Sequence, residues 1–200
     1  MAFDVGETLV DETRIWAELA QRLGVTPLTL SGVLGAVIAT GRGHHDLWDI
    51  LGVDRPVVGL DPVHGDLYPD ALECVAAARR VGLTVGVAGN QPATVEQVLV
   101  AAGLEADFVA SSMTWGVAKP DPEFFVRLIA EARVPAESIL YVGDRLDNDV
   151  LPARAVGMRT VFVRRGPWGH IHALKDEAAL ADLRVDSLQE LATLLSAVRS

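Results

Sequence analysis

The sequence predicts an α/β fold: a parallel sheet covered on both faces by helices, with a small helical cap inserted after the first strand. Three observations carry this prediction. From residue 70 onward, short apolar runs alternate with single amphipathic segments, a rhythm that implies crossover connections and therefore parallel strands. A block of helical periodicity, residues 12–52, interrupts that rhythm directly after the first apolar run. Half of the 200 residues are apolar and mean hydropathy is +0.29, which excludes a disordered chain and supplies a real core.

The elements follow in order. Residues 1–5 form an apolar run that carries Asp4 and ends at the turn residue Gly6. Trp16, Leu19, Ala20 and Leu23 then recur at i, i+3, i+4 and i+7, and Leu30, Val33, Leu34 and Val37 repeat the pattern. Residues 53–69, with Pro56, Gly59, Pro62, Gly65 and Pro69, read as an irregular connector. A helix over 70–80 closes at Gly82, a strand over 83–88 runs into Gly89-Asn90-Gln91-Pro92, and a helix carrying Val95, Val98, Leu99 and Ala102 stops at Gly103. After a short strand at 107–110, Asp121 caps a helix with Pro122 at its first position and Phe125, Leu128, Ile129 and Ala132 on one face. Strands at 139–142, ending in Gly143-Asp144, and at 160–163 complete the expected sheet. Ser187-Leu188-Gln189-Glu190 is a capping box before the last helix. The expected division is a core of residues 1–11 and 66–200 and a cap of residues 12–65.

Charge narrows the function. Acids outnumber bases 27 to 17, a formal charge of −10, so nucleic acid and anionic membrane surfaces are not expected partners. No apolar stretch approaches the roughly 20 residues needed to span a bilayer, and no basic-then-apolar leader precedes Asp4. The single cysteine, Cys74, excludes an intramolecular disulfide and reads as a small core residue, so a cytoplasmic location is the expectation.

Ligands of open parallel sheets bind beyond the carboxyl ends of the strands, which here carry Asp4, Gly89-Asn90 and Asp144. Two carboxylates converging there repel unless a cation lies between them, and oxygen donors of this kind suit Mg²⁺. Lys119, on the loop before a helix, is placed to bring one ammonium near them.

The segments Phe3-Asp4-Val5-Gly6-Glu7-Thr8-Leu9, Val87-Ala88-Gly89-Asn90, Lys119-Pro120-Asp121-Pro122 and Val142-Gly143-Asp144-Arg145-Leu146-Asp147-Asn148-Asp149 resemble the four ordered motifs of the haloacid dehalogenase superfamily. The resemblance covers nearly the whole chain and implies a Rossmann-like core with a helical C1-type cap. It implies a phosphatase of a small phosphorylated metabolite, in which Asp4 attacks phosphorus. Asp4, the Gly6 carbonyl and Asp144 would hold Mg²⁺, Lys119 would offset charge, and Gly89 and Asn90 would bind phosphoryl oxygens. Asp149 is expected to hold the lysine or to act from behind the metal; Asp147 reads as a helix-terminal acid.

Two departures stand out. Where the family's phosphatases carry a second aspartate for proton transfer, this chain has Gly6; where they carry Ser or Thr, it has Gly89. Glu7 is the first-ranked substitute for the missing acid/base, with a cap residue or an undemanding leaving group as the others. Two further readings are 2-haloacid dehalogenation, which needs no metal, and a weak or inactive member that only binds a phosphorylated ligand. His44-His45 and His170-Ile171-His172 lack the i, i+4 spacing of helical metal pairs and read as solvated or half-buried. His44, His45 and Trp48 are specificity candidates within the cap, and Arg164 or Arg165 is a candidate anion contact.

Overall fold

The computed structural model describes residues 1–43, 46–54 and 62–197. His44, His45 and residues 55–61 of the expected connector lie outside the described residues. Among those described are six parallel strands, β1 (Ala2–Phe3), β2 (Gly86–Gly89), β3 (Phe108–Ser111), β4 (Leu140–Gly143), β5 (Arg159–Val163) and β6 (Leu183–Val185), in the order β3-β2-β1-β4-β5-β6. Phe3 of β1 sits opposite Val87 on one side and Val142 on the other, so the two halves of the sheet diverge from β1. That divergence opens the crevice in which such sheets bind ligands.

The central strands are apolar and fully buried, with Phe3, Val87, Val142 and Val161 closed to solvent on both sides of the sheet. One face is covered by α4 (Ala71–Arg80), α5 (Val95–Ala101) and α10 (Leu188–Ala197), through Ala71, Cys74, Ala78, Leu99, Leu188 and Leu191. The other is covered by α6 (Ser112–Trp115), α7 (Pro122–Ala132) and α8 (Leu151–Ala155); Phe124, Phe125, Leu128 and Ala153 of the latter two meet Tyr141, with Trp115 packed against them. Each large side chain buried there contributes about 1.5–3 kcal/mol. Asp121 caps α7 by accepting from the Glu123 N–H at 2.9 Å, as its sequence predicts. The capping box at Ser187 forms only in part: Ser187 accepts from Glu190 N–H, but the Glu190 carboxylate reaches the Asp186 N–H, one residue earlier.

The helical block expected over 12–52 contains, among the described residues, α1 (Thr13–Arg22), α2 (Pro27–Ala39) and α3 (Asp46–Leu51). They form their own apolar cluster, Ala20, Leu30, Leu34, Ile38, Leu47 and Trp48, into which Trp168 projects. Trp48 is thus a core residue of this cluster rather than a specificity residue. The chain leaves and rejoins the sheet domain through a narrow neck, where Asp11 N–H donates to the Asp66 carbonyl at 2.7 Å and Tyr68 N–H to the Leu9 carbonyl at 2.9 Å.

Two elements depart from expectation. β6 is three residues long, too short to leave a periodic pattern, and exists through its register on β5. The segment around Gly166-Pro167-Trp168-Gly169 forms a helix, α9 (Gly166–His172), despite its glycines. Pro167 fits the first turn, where no N–H is needed, and burial of Trp168 outweighs the poor local propensity. Among the described residues no single helix is long and apolar enough to cross a membrane.

Candidate active site

Two strand ends, one π-helical turn and one loop converge beyond β1. Asp4 follows β1, Asp144 follows β4, and Asp149 lies on the single π-helical turn Leu146–Val150. Lys119 enters from the loop before α7 with its side chain wholly buried, donating to Asp4 Oδ1 at 2.6 Å and to Asp149 Oδ1 at 2.5 Å. Its Nζ also lies 5.5 Å from the Tyr141 ring centre and 6.0 Å from that of Phe124. Burial alone would lower this ammonium, but Asp149 and Asp4 outweigh it and hold Lys119 well above the ordinary lysine range. The lysine is therefore a fixed positive charge beside Asp4 and Asp149.

One ammonium faces three buried carboxylates, since Asp4, Asp144 and Asp149 each offer an oxygen within 4.8 Å of the others. Asp149 has both oxygens engaged, the second accepting from the Arg145 N–H at 3.0 Å. Asp144 differs: its Oδ2 is buried and has no hydrogen-bond partner. Burial, then the charges of Asp149 and Asp4, raise Asp144 well above the carboxylate range. A buried acceptor without a donor, beside a second carboxylate, fits a hard divalent cation held by oxygens.

The Gly6 and Glu7 turn is tightly organised. Glu7 adopts φ +52°, a left-handed conformation that costs a non-glycine residue about 1–2 kcal/mol. Its oxygens accept from Glu12 N–H at 3.0 Å and from the Tyr68 hydroxyl at 2.6 Å. Glu7 thus ties the Asp4 loop to the neck, and both of its carboxylate oxygens, expected to serve acid/base chemistry, are engaged in these bracing contacts. Arg165 reinforces the same loop, donating to the Thr8 carbonyl at 3.0 Å and to Asp70 at 2.5 Å, while Arg164 pairs with Asp186 on the surface. Neither arginine is the anion contact expected, because each is committed to a carboxylate.

Gly89 lies close against the Asp4 loop: a Cβ there would stand 2.7 Å from Asp4 Oδ1 and 3.2 Å from Val5 Cγ2, so a side chain would press on the Asp4 carboxylate. Asn90, expected to hold phosphoryl oxygens, is spent differently. Its Oδ1 accepts from Lys119 N–H at 2.8 Å and its Nδ2 donates to the Lys119 carbonyl at 2.9 Å, so it places the lysine loop instead. Asp147 is exposed and pairs with Arg145, as a helix-terminal acid should. His172 is buried with Nδ1 accepting from Leu146 N–H at 3.1 Å, and burial pushes it down to about 4.

Two residues that sequence reasoning passed over also face the site. Arg145, inside the fourth motif, lays its guanidinium 4.5 Å from the Trp168 ring centre and adds local positive charge beside Asp149 and Asp144. Glu12, read only as the start of the cap, places its Oε1 2.3 Å from where a Gly6 Cβ would be. Burial, then the Glu7 charge, pushes Glu12 up to about 7. Its spacing of four from Trp16, whose Nε1 donates to Oε2 at 3.1 Å, is a helical pair visible in the sequence.

Several known proteins resemble the chain in sequence or in fold. The chain is 32% identical over 127 residues to a glyceraldehyde 3-phosphate phosphatase of Methanopyrus kandleri, covering 62% of this chain and 54% of that one. It is 38% identical over 128 residues to a phosphoserine phosphatase of Thermus thermophilus, covering 62% and 49%. The matched region thus spans about half the length of these curated relatives. In fold, the L-2-haloacid dehalogenase of Xanthobacter autotrophicus with covalently bound chloropropionic acid superposes with a TM-score of 0.71 at 20% identity, over 100% of this chain and 97% of that one. A phosphatase of Thermococcus onnurineus gives 0.62 at 22% identity, over 97% and 96%. The family model for haloacid dehalogenase-like hydrolases matches residues 1–157, which contain every carboxylate and the lysine of the site, and the chain belongs to that family.

Proposed function

We propose that the protein is a divalent-metal-dependent phosphatase of a small phosphorylated metabolite, working through a phospho-intermediate on Asp4. The carrying observation is the pairing of Asp4 with Lys119 at 2.6 Å beside the unpartnered Asp144 oxygen. The relatives named as phosphatases support the same reading.

In this reading Asp4 and Asp144, with the Gly6 carbonyl, would hold Mg²⁺, and residues 12–65 form the cap that covers the substrate. When bound, the cation supplies charge neutralisation for Asp4 and the phosphoryl oxygens, letting a dianionic ester approach an acidic pocket. Lys119 keeps Asp4 ionised and oriented, and offsets charge on the transferring group. Asp149 and Asn90 position Lys119. Backbone N–H groups after β2 are the donors left to the phosphoryl group, since residue 89 brings no hydroxyl. Asp4 attacks phosphorus, the ester oxygen departs with the bonding electrons, and water then cleaves the aspartyl-phosphate.

The test is turnover of a panel of small phosphate esters with Mg²⁺, run against Asp4→Asn and against EDTA. Asp4-dependent, chelator-sensitive phosphate release is the expected result. Activity on 2-haloacids that survives EDTA, or no Asp4-dependent turnover of any ester, would overturn the proposal.

A further inference from the structure

Gly6 removes the side chain that would transfer a proton, yet the space above it is filled. A Cβ built on Gly6 would lie 2.3 Å from Glu12 Oε1, 2.9 Å from Glu12 Cδ and 3.5 Å from Gln91 Nε2. The Glu12 carboxyl group therefore stands where the end of a residue-6 side chain would otherwise be. It is also held there. Trp16 Nε1 donates to Oε2 at 3.1 Å, and the Glu12 backbone N–H donates to Glu7 Oε1 at 3.0 Å, leaving Oε1 as the oxygen turned over Gly6. Asp4 and Arg145 both lie close enough to act on its charge. A glutamate reaching back from the start of the insertion and a glycine two residues past Asp4 are thus two halves of one arrangement: a side chain at residue 6 would compete with the Glu12 carboxyl for the place it now holds.

We propose that Glu12 is the general acid and base of this enzyme, contributed across the neck in place of a residue-6 side chain. The inference rests on the phosphatase reading above. In the first step Asp4 forms a bond to phosphorus while the ester P–O bond breaks. The departing oxygen keeps the electron pair and takes the proton of the Glu12 carboxyl, leaving as an alcohol. In the second step a water oxygen attacks phosphorus and gives its proton to the Glu12 carboxylate. The bond to Asp4 breaks, releasing phosphate and restoring both carboxyl groups to their starting states.

Leaving groups separate this role from a structural one. p-Nitrophenol departs as an anion and needs no proton, whereas an alkoxide does. For Glu12→Gln, which keeps the shape and the acceptor to Trp16, kcat/KM on glycerol phosphate is expected to fall about 100-fold or more, within the usual worth of general acid catalysis. On p-nitrophenyl phosphate it is expected to change less than about fivefold. Because the second step loses its base, the variant should also release a burst of p-nitrophenol stoichiometric with enzyme and accumulate phosphate on Asp4. Gly6→Asp combined with Glu12→Ala should restore alkyl ester turnover, because the carboxyl returns by the direct route into the space just cleared. Equal losses on both esters with no burst, or no loss on either, overturns the role of Glu12 while leaving the phosphatase reading intact. Absence of Asp4-dependent turnover in the unaltered protein overturns both.

Discussion

Lys119→Met tests the electrostatic centre directly, because methionine keeps the buried volume and removes the charge. Lys119 is wholly enclosed, with Asp4 and Asp149 oxygens at 2.6 and 2.5 Å. Unit charges at that separation and an effective dielectric near 20 attract by about 6 kcal/mol. The desolvation of three charged groups offsets part of this, and removing one member of a buried ion pair costs about 3–5 kcal/mol in practice. At about 2–4 °C per kcal/mol for a chain of this size, the melting temperature should drop by roughly 6–20 °C. Differential scanning calorimetry at pH 7 in EDTA reads this shift. Adding Asp149→Asn to Lys119→Met removes one of the carboxylates left unpaired and should recover at least about 1 kcal/mol of the loss. Mg²⁺ should then raise the melting temperature of Lys119→Met more than that of the parent, since the cation replaces the missing charge. A loss below about 1 kcal/mol, or strictly additive effects of the two substitutions, would refute the account of a charge-balanced cluster.

Other consequences are equally specific. Gly89→Leu puts a Cβ 2.7 Å from Asp4 Oδ1 with a branched chain beyond it, so kcat/KM should fall about 100-fold through displacement of Asp4; unchanged kinetics would show that the strand end yields freely. His172 has a folded-state value near 4 against an unfolded value near 6.5, so its stabilising contribution is intact above pH 6.5 and is lost as pH falls toward 4. Between pH 7.5 and 4.5 that loss amounts to roughly 2–3 kcal/mol, and urea unfolding of His172→Gln should show a pH dependence shallower by that amount. Trp168→Ala empties the contact between α9 and the insertion cluster and should cost about 3 kcal/mol by thermal melting; a cost under 1 kcal/mol would mean that the insertion is held by the neck alone.

Much of the centre was legible because strand ends are legible. Asp4, Asp144 and Lys119 stand at the ends of apolar runs or ahead of a capped helix, and local pattern suffices to bring such residues together. The roles of their neighbours were not. Asn90 looks the same in sequence whether it meets a phosphoryl group or the Lys119 backbone, because that choice depends on a loop 29 residues away. Glu7 lies beside the glycine whose loss it was expected to repair, yet the hydroxyl that claims it belongs to Tyr68, 61 positions on. Proximity in sequence favoured Glu7; the path of the chain through the neck favoured Glu12. In the fold the same division holds, since long periodic helices were visible whereas β6 and α9 depend on partners distant in sequence.

The two hydrogen bonds of the neck set the points where the chain departs and returns side by side, at Asp11 with Asp66 and at Leu9 with Tyr68. An arrangement of that kind ordinarily makes whatever lies between the two points exchangeable, since a longer or shorter insertion leaves the distances among Asp4, Asp144 and Lys119 untouched. Here the freedom is curtailed. With Glu12 on the far side of the neck and over Gly6, the first turn of the insertion belongs to the chemistry, and a graft that replaces this insertion has to begin after Trp16 to keep the proton donor and the indole that steadies it.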